Sequence, residues 1–297
     1  MDFEPSQLQE AVSLIAAGLA GAGDSRVKVC SGLRFWSEDR EGAPEPMIFS
    51  PSLIVIVQGS VRVILPGEVR DFGPSHYFLS TLTVPVNIQV TNASAAKPLL
   101  GLIIDLDLTC VSQLLSIVGE EIALESAPVR LPAVLPTAID RDFYQSFLRL
   151  LRCTQSNLDW RVLSEGMKRE MFYRVLRGPS GHILRKRIES NTPIQKVACA
   201  IVFIQRNLSE LLEIKTIARH VGVSVSSLHA HFNSVVGESP LRYIKCLRLH
   251  RAQGLLQSGN DVIQSALEVG YSSASQFSRE YKRKFGEPPS LTRKRGQ

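Results

Sequence analysis

The sequence is poor in the residues that build metal and disulfide sites. Only six of its 297 residues are histidine, and His76 is the single histidine among residues 1–180. A metal site held by several histidines therefore cannot be assembled there. The five cysteines are widely scattered and form no C-x-x-C pair, which argues against a disulfide framework or a zinc site. We expect no metal, no cofactor and no enzymatic activity.

Long apolar runs and a secretory signal are also missing. No segment reaches the ~18 uninterrupted apolar residues of a membrane-spanning helix. The stretch AVSLIAAGLAGAG near the start follows acidic residues and no Lys or Arg, the wrong flank for a signal peptide. Its apolar spacing predicts a helix instead. Together with the free thiols, these absences predict a soluble cytoplasmic protein that contacts no membrane.

Charge is present but unevenly distributed. Residues 1–180 hold 16 Lys and Arg against 20 Asp and Glu, a net charge of −4. Residues 181–297 hold 18 against 8, a net charge of +10. Such an asymmetry indicates that the C-terminal part meets a polyanion.

The order of the periodic segments predicts an α+β chain of two domains. Five or six short strands between residues 48 and 104, with a hairpin at Gln58-Gly59-Ser60, favour a small antiparallel barrel. Helical periodicity follows at 111–124, 140–153 and 160–177. We therefore expect a barrel domain with flanking helices at 1–180, a linker at 181–193 and an all-helical domain at 194–297.

An internal repeat organises the helical domain. Ala218, Gly222 and Ser224 match Ala266, Gly270 and Ser272 at an offset of 48, and further apolar matches follow at 49. In each copy a small Ala permits close helix packing, a Gly supplies positive φ, and a Ser caps the next helix. The copies predict two helix-turn-helix motifs, at about 214–236 and 262–285.

The second helix of each motif carries the residues expected to contact DNA. In the second copy the polar stripe lies opposite an aromatic stripe that we assign to the core. Arg can fork onto guanine, Ser can bond either base and Lys can bind phosphate. The candidates are Ser275, Ser278, Arg279 and Lys282 in the second copy, and Ser226, Ser227, His229, Ala230 and Asn233 in the first.

The helix between the copies, from about Pro240 to Gln257, would span about 26 Å. This length could place two recognition helices in successive major grooves. Arg242 and Lys245 on this helix, with Arg283 and Lys284 on the last recognition helix, are candidates for phosphate contacts.

By these residues the C-terminal hundred resembles the DNA-binding domain of AraC/XylS-type transcription regulators. The resemblance departs at Ala230 and Asn233, where relatives often carry Arg and Lys. The segments PSLIVIVQGSVRV and YFLSTLTVPV are similar to the cupin-like N-terminal domain of the same family. The residues that match the second family motif are Ala266, Gly270, Tyr271, Ser273, Ser275, Phe277, Arg279, Tyr281, Lys282, Gly286 and Pro289. Those that match the first motif are Ala218, Gly222, Ser224, Leu228, Phe232, Gly237, Pro240 and Tyr243.

The resemblance implies a sequence-specific regulator whose partner is double-stranded promoter DNA. It is compatible with RNA polymerase, a small organic effector and a second copy of the chain as further partners. Two alternatives stay open, namely a barrel enzyme fused to a DNA-binding domain and an architectural DNA binder with little sequence preference.

Overall fold

The computed structural model describes residues 5–19, 26–30, 32–66, 68–74, 76–118, 134–189 and 192–295. Its strands pair antiparallel into a six-stranded sheet, in the order β1-β2-β9-β4-β7-β10, and a four-stranded sheet, in the order β3-β8-β5-β6. The strands are β1 Arg26–Cys30, β2 Leu33–Glu38, β3 Glu45–Phe49, β4 Ser52–Gln58, β5 Ser60–Leu65, β6 Glu68–Phe72, β7 His76–Ser80, β8 Val84–Asn92, β9 Leu99–Asp105 and β10 Val134–Ala138. The α+β class is confirmed, with two packed sheets in place of a closed barrel among the described strands.

The central strand β4 explains how the sheets are packed. Ile54 and Ile56 point into the interior between the two sheets, where they meet residues of β5 and β6 such as Val61 and Phe72. Leu53 and Val55 point to the opposite face and pack under helices. Because both faces are buried, this strand is continuously apolar where a half-exposed strand would alternate.

Helices cover the outer face of the larger sheet. Residues 11–19 of the stretch AVSLIAAGLAGAG lie in a helix, as predicted, and its Ala11 and Ile15 are buried; residues 20–23 of the stretch lie outside the described residues. The predicted helix at 111–124 begins at Leu108, and its last predicted residues, 119–124, lie outside the described residues. The helices of this half are α1 Pro5–Leu19, α2 Leu108–Val118, α3 Arg141–Cys153, α4 Asn157–Arg177 and α5 Gly181–Ile188.

The predicted hairpin at Gln58-Gly59-Ser60 is wrong. Its two arms, β4 and β5, belong to different sheets and do not pair with each other. Gly59 has φ +79°, and a Cβ there would meet the carbonyl oxygen of Asn92 at 2.6 Å. Only glycine allows the chain to cross so closely from one sheet to the other. The sequence pattern of such a corner is the same as that of a hairpin, because in both structures two apolar strands flank a glycine.

The segment 181–193, expected to be a linker, is helical over its first eight residues. Helix α5 buries Ile183 in the core between the sheets and Leu184 in the core under the helices. These contacts join α5 to the N-terminal half, because both side chains pack against residues of that half. The division into domains at 1–180 and 194–297 stays a prediction.

The C-terminal half is helical in all its described elements. Helix α9 has the bounds that the sequence predicted, and the two helix-turn-helix motifs are confirmed as the pairs α7–α8 and α10–α11. The helices are α6 Pro193–Arg206, α7 Ile214–His220, α8 Val225–Val235, α9 Pro240–Gln257, α10 Val262–Glu268, α11 Ala274–Phe285 and α12 Pro289–Arg295.

The loop between β7 and β8 joins the two halves of the chain. The buried hydroxyl of Tyr243 on α9 donates to the backbone carbonyl of Thr83 at 2.7 Å. The side chain of Gln205 on α6 donates to the Thr83 hydroxyl at 3.3 Å, and Arg187 on α5 donates to the Thr81 carbonyl at 3.2 Å. The first helix-turn-helix unit is thus bonded directly to the strand layer.

Candidate nucleic-acid interface

The two helix-turn-helix turns are built alike. Gly222 and Gly270 have φ +67° and +85°, the left-handed region that glycine enters without strain. In each copy the backbone amide of the following residue donates to the carbonyl of the buried Ala, at 3.0 Å to Ala218 and 2.9 Å to Ala266. These bonds satisfy carbonyls at the end of the first helix and fix the angle at which the second helix leaves.

The serine caps of the recognition helices differ by one position from the expected match. Ser224 accepts from the amide of Ser227 at 3.0 Å and caps α8, as predicted. In the second copy the cap is Ser273, which accepts from the amide of Gln276 at 3.3 Å, and not Ser272. The residue inserted in the second copy therefore lies between Gly270 and the cap, so the 49-residue offset already holds at Ser273.

The aromatic stripe of α11 faces the core. Phe277 and Tyr281 are fully buried with Ala266 and Leu256, and Tyr281 donates to the Thr292 hydroxyl of α12 at 3.0 Å. On the other side of the helix, Ser275, Arg279 and Lys282 are exposed and Ser278 is half-buried. The structure therefore brings the four predicted residues of α11 onto one accessible face.

Helix α8 presents a weaker face. Ser226, Ala230 and Asn233 are exposed, and Ser227 and His229 are half-buried. Its eleven residues, VSSLHAHFNSV, include neither Lys nor Arg. Any electrostatic attraction to a polyanion at this helix must come from its neighbours.

The four predicted phosphate contacts fall into two groups. Arg242 and Arg283 are exposed. Lys245, in contrast, donates to the Glu280 carboxylate of α11 at 3.0 Å, which commits its ammonium to a contact inside the domain. Lys284 is half-buried beside Cys246 and His250. The side chains of Arg242 and Arg283 are therefore the freer pair.

A polar cluster that the sequence did not indicate surrounds Glu280. Tyr271 donates to this carboxylate at 2.8 Å, in addition to Lys245. Burial raises the pKa of Glu280, but the hydrogen bonds from Lys245, Gln276 and Tyr271 outweigh it and hold the pKa below its ordinary value. The cluster fixes α11 against α9. Its only sequence signal is an acidic residue amid the cations of α11.

A cleft of about 540 Å³ lies between the strand layer and the helical half. Strand β3 forms one wall, and helices α6 and α9 form the other. Its residues include the apolar Met47, Ile48, Leu208 and Leu247, the polar Gln205, His250 and Gln253, and the charged Glu45 and Arg251. A smaller cavity of about 170 Å³ inside the sheets shares Met47 and Ile48 with it.

His250 is an unusual polar group at this cleft. Its Nε2 atom is buried and has no hydrogen-bond partner among the described residues, and its ring packs edge-on against Phe285. Burial and the nearby Lys284 ammonium lower the pKa of His250 to about 3. The imidazole is therefore neutral at physiological pH.

Among the described residues, no group of three or more His, Cys, Asp or Glu side chains could hold a metal ion. In the part of the chain that the structure describes, no helix is long and apolar enough to cross a membrane. The helix pairs are thus the strongest candidate site.

Two family descriptions match the sequence over these regions. Residues 30–183 match the N-terminus of AraC-type transcriptional regulators, and residues 217–295 match a helix-turn-helix domain. The chain belongs to the AraC-type transcriptional regulators. The family resemblance inferred from the repeat is thereby confirmed.

Curated relatives match mainly the helical half. The HTH-type transcriptional regulator ArgR of Pseudomonas aeruginosa is 36% identical over 107 residues, which cover 36% of this chain and 32% of ArgR. GbdR of the same species is 32% identical over 133 residues, which cover 43% of this chain and 36% of GbdR. The chain thus matches only about a third of the length of these relatives.

Solved structures of ToxT from Vibrio cholerae share the fold over most of the chain. An apo form of a ToxT variant is 13% identical with a TM-score of 0.57, and the match covers 89% of this chain and 98% of ToxT. A second ToxT structure, bound to (E)-4-(8-methylnaphthalen-1-yl)but-3-enoic acid, has a TM-score of 0.58 at 14% identity and the same coverage. At this identity the likeness establishes the arrangement of sheets and helices alone.

His250 should make the protein lose stability as the pH falls from 7 to 5. The folded chain keeps this imidazole neutral, whereas the unfolded chain protonates it near its ordinary pKa of about 6.5. Because the unfolded state then binds more protons, the free energy of unfolding should fall by about 2 kcal/mol over this range. Urea denaturation at both pH values measures the loss.

The matched comparison is His250→Gln against His229→Gln, which alters a half-buried histidine on α8. The first variant should lose most of this pH dependence and the second should keep it. Identical pH dependence in wild type and His250→Gln would show that the buried imidazole does not cause the loss.

Proposed function

We propose that the protein regulates transcription by binding specific duplex DNA with α8 and α11 in successive major grooves. The observation that carries the proposal is the pair of capped helices, each with an exposed polar face, that precede and follow the 18-residue helix α9 along the chain and both contact it. An α-helix of that length spans about 26 Å, which is of the order of the distance between successive major grooves on one face of the duplex, about 34 Å.

We assign most of the base recognition to α11. The exposed Arg279 guanidinium can fork onto the acceptors of guanine, and Ser275 and Ser278 can bond either base. Lys282 and the exposed Arg283 and Arg242 can neutralise phosphates. Lys245 is less suited to that role, because releasing its ammonium would leave the Glu280 carboxylate without its cation.

The N-terminal half is proposed to sense a small organic molecule in the cleft between β3 and α9. Its walls combine the apolar Met47 and Ile48 with a larger polar part that includes Arg251, so the cleft suits a molecule with an apolar body and a carboxylate end. ToxT, which shares the fold, is known with an unsaturated fatty acid and with a naphthalenyl butenoic acid bound. We further propose that the protein acts in the cytoplasm without catalysis, with RNA polymerase and a second copy as partners.

A filled cleft should abolish effector binding. Ile48→Trp adds an indole to the wall of the cleft, whereas Val69→Trp adds the same group to an exposed position on β6. Oleic acid is expected to raise the melting temperature of wild type and of Val69→Trp but not of Ile48→Trp. Thermal unfolding with and without the acid measures this. An equal rise in melting temperature in all three proteins would show that the acid binds outside the cleft. The absence of a rise in wild type would contradict this class of ligand.

The DNA proposal is tested with the duplex that wild type selects from a random-sequence library. Binding to this duplex should exceed binding to a scrambled duplex by about 10³-fold or more at one salt concentration. Arg279→Ala should cost about 1–3 kcal/mol on the selected duplex and relax the preference at one base pair. Lys282→Ala should weaken binding to all duplex sequences alike and reduce the dependence of the affinity on salt concentration.

Arg161→Ala, which removes an exposed cation from α4, is the matched control and should leave DNA binding unchanged. Equal affinity of wild type for selected and scrambled duplexes would favour an architectural binder. If Arg279→Ala and Lys282→Ala behaved alike across a panel of base substitutions, the division of roles within the stripe would be wrong.

The two recognition helices should contribute unequally. Ala230 stands where α11 has Arg279, and Asn233 stands where it has Lys282, so α8 can neither fork onto guanine nor attract phosphate. Base substitutions in the half-site facing α11 should therefore lower the affinity for DNA more than substitutions in the half-site facing α8. Ala230→Arg should strengthen binding by adding a cation at an exposed position, whereas Ala43→Arg, in the loop before β3, should not. Equal sensitivity of both half-sites, without any gain from Ala230→Arg, would refute the asymmetry.

A further inference from the structure

Helix α9 belongs to two separate hydrophobic cores. Tyr243, Ile244 and Leu247 in its first half pack with the first helix-turn-helix unit and the strand layer. Leu249 and Leu256 in its second half pack with the second unit. The two units also touch directly, where the loop before α7 approaches Gly270 and where α11 contacts β3. Polar contacts at the first of these points can therefore fix the rotation of one unit relative to the other.

Arg248 lies between the two sets of core residues and bonds to both units. Its Nε donates to the Leu208 carbonyl at 3.0 Å, and its Nη2 donates to the Glu210 carbonyl at 2.6 Å, both in the loop between α6 and α7. Its Nη1 donates to the carbonyl of Gly270 at 3.0 Å, in the turn of the second unit. One guanidinium thus joins a loop of the first unit to the turn of the second.

The backbone around this arginine is built for close approach. A Cβ at Gly270 would lie 2.8 Å from Nη2 of Arg248 and 2.9 Å from the carbonyl oxygen of Ser209. Glycine is therefore required there for space as well as for its φ of +85°. The acceptors are three neutral carbonyls, and burial lowers the pKa of the arginine. Hydrogen-bond geometry at these carbonyls therefore holds the side chain in place.

A second tie lies one turn earlier on α9. Lys245, on the half that packs with the first unit, reaches the Glu280 carboxylate of α11 at 3.0 Å. The second recognition helix is thereby attached to the first half of α9 as well as to the second half. Both contacts oppose a rotation of the second unit about the axis of α9.

We infer that Arg248 is a positioning residue that sets the spacing of half-sites the protein accepts on DNA. The inference rests on the proposed DNA-binding function. With the guanidinium in place, the two recognition helices form one rigid pair and fit one separation of their base pairs. Without it, each unit keeps its own core and its own base contacts, but the pair is no longer held at a single angle.

The test compares wild type with Arg248→Met on three duplexes, the one that wild type selects, the same duplex with one base pair inserted between the half-sites, and one keeping only the α11 half-site. One inserted pair moves the second half-site by about a tenth of a turn. Wild type should lose about tenfold or more in affinity on insertion, because α8 can no longer reach its bases.

Arg248→Met should bind the selected duplex several-fold more weakly, tolerate the insertion with little further loss, and bind the single half-site like wild type. Arg248→Lys keeps the charge but cannot span three carbonyls, so it should resemble Arg248→Met. The matched control is Arg206→Met, an exposed arginine at the end of α6, which should keep the full insertion penalty. Circular dichroism of each variant establishes that it is folded.

Three results would contradict either the positioning role of Arg248 or the DNA-binding function, and each result identifies which of the two fails. A folded Arg248→Met or Arg248→Lys protein that keeps the wild-type insertion penalty refutes the positioning role. Loss of binding to the single half-site shows that Arg248 supports the second unit itself, which also refutes it. Failure of wild type to select any duplex refutes the underlying DNA-binding proposal instead.

Discussion

The structure depends on one helix having to serve two cores. The buried apolar residues of α9 that pack with the first unit end at Leu247, and those that pack with the second unit begin at Leu249. A rigid helix of this kind fixes the distance between the two units, but each unit packs its own core. The carbonyl contacts of Arg248 and the Lys245–Glu280 pair, together with the contact between α11 and β3, define the angle between the units.

Features with local causes could be predicted from the sequence. The Ala, Gly and Ser of each repeat fix a helix end, a turn and a cap within a few residues, so the presence of both helix pairs and the bounds of α9 could be predicted. The corner at Gly59 was not predictable in the same way. Its flanking strands pair with β7, β8 and β9, which are distant along the chain, and the hairpin reading considered neighbours only.

The residues of the candidate site divide in the same way, into those with local causes and those whose contacts are distant along the chain. The exposed face of α11 followed from helical spacing against an aromatic stripe, a local pattern. The cations of α9 could not be sorted this way, since Arg242 and Arg248 differ in what stands opposite them in the fold. Lys245 meets a carboxylate 35 residues ahead, and Arg248 meets carbonyls 40 residues behind and 22 ahead. Composition gives all of them the same positive charge.

The cleft borders both helix-turn-helix units. The core of the first unit is continuous with the core between the sheets, and Tyr243 on α9 is bonded to the loop before β8. The second unit has its own core, but His250 in the wall of the cleft packs against Phe285 of α11, and α11 contacts β3. A molecule wedged between β3 and α9 therefore meets Leu247 on the side of the first unit and His250 on the side of the second. On the proposed function, such an effector acts on the angle between the recognition helices, the same angle that Arg248 holds, and thereby changes the spacing of half-sites that the protein accepts.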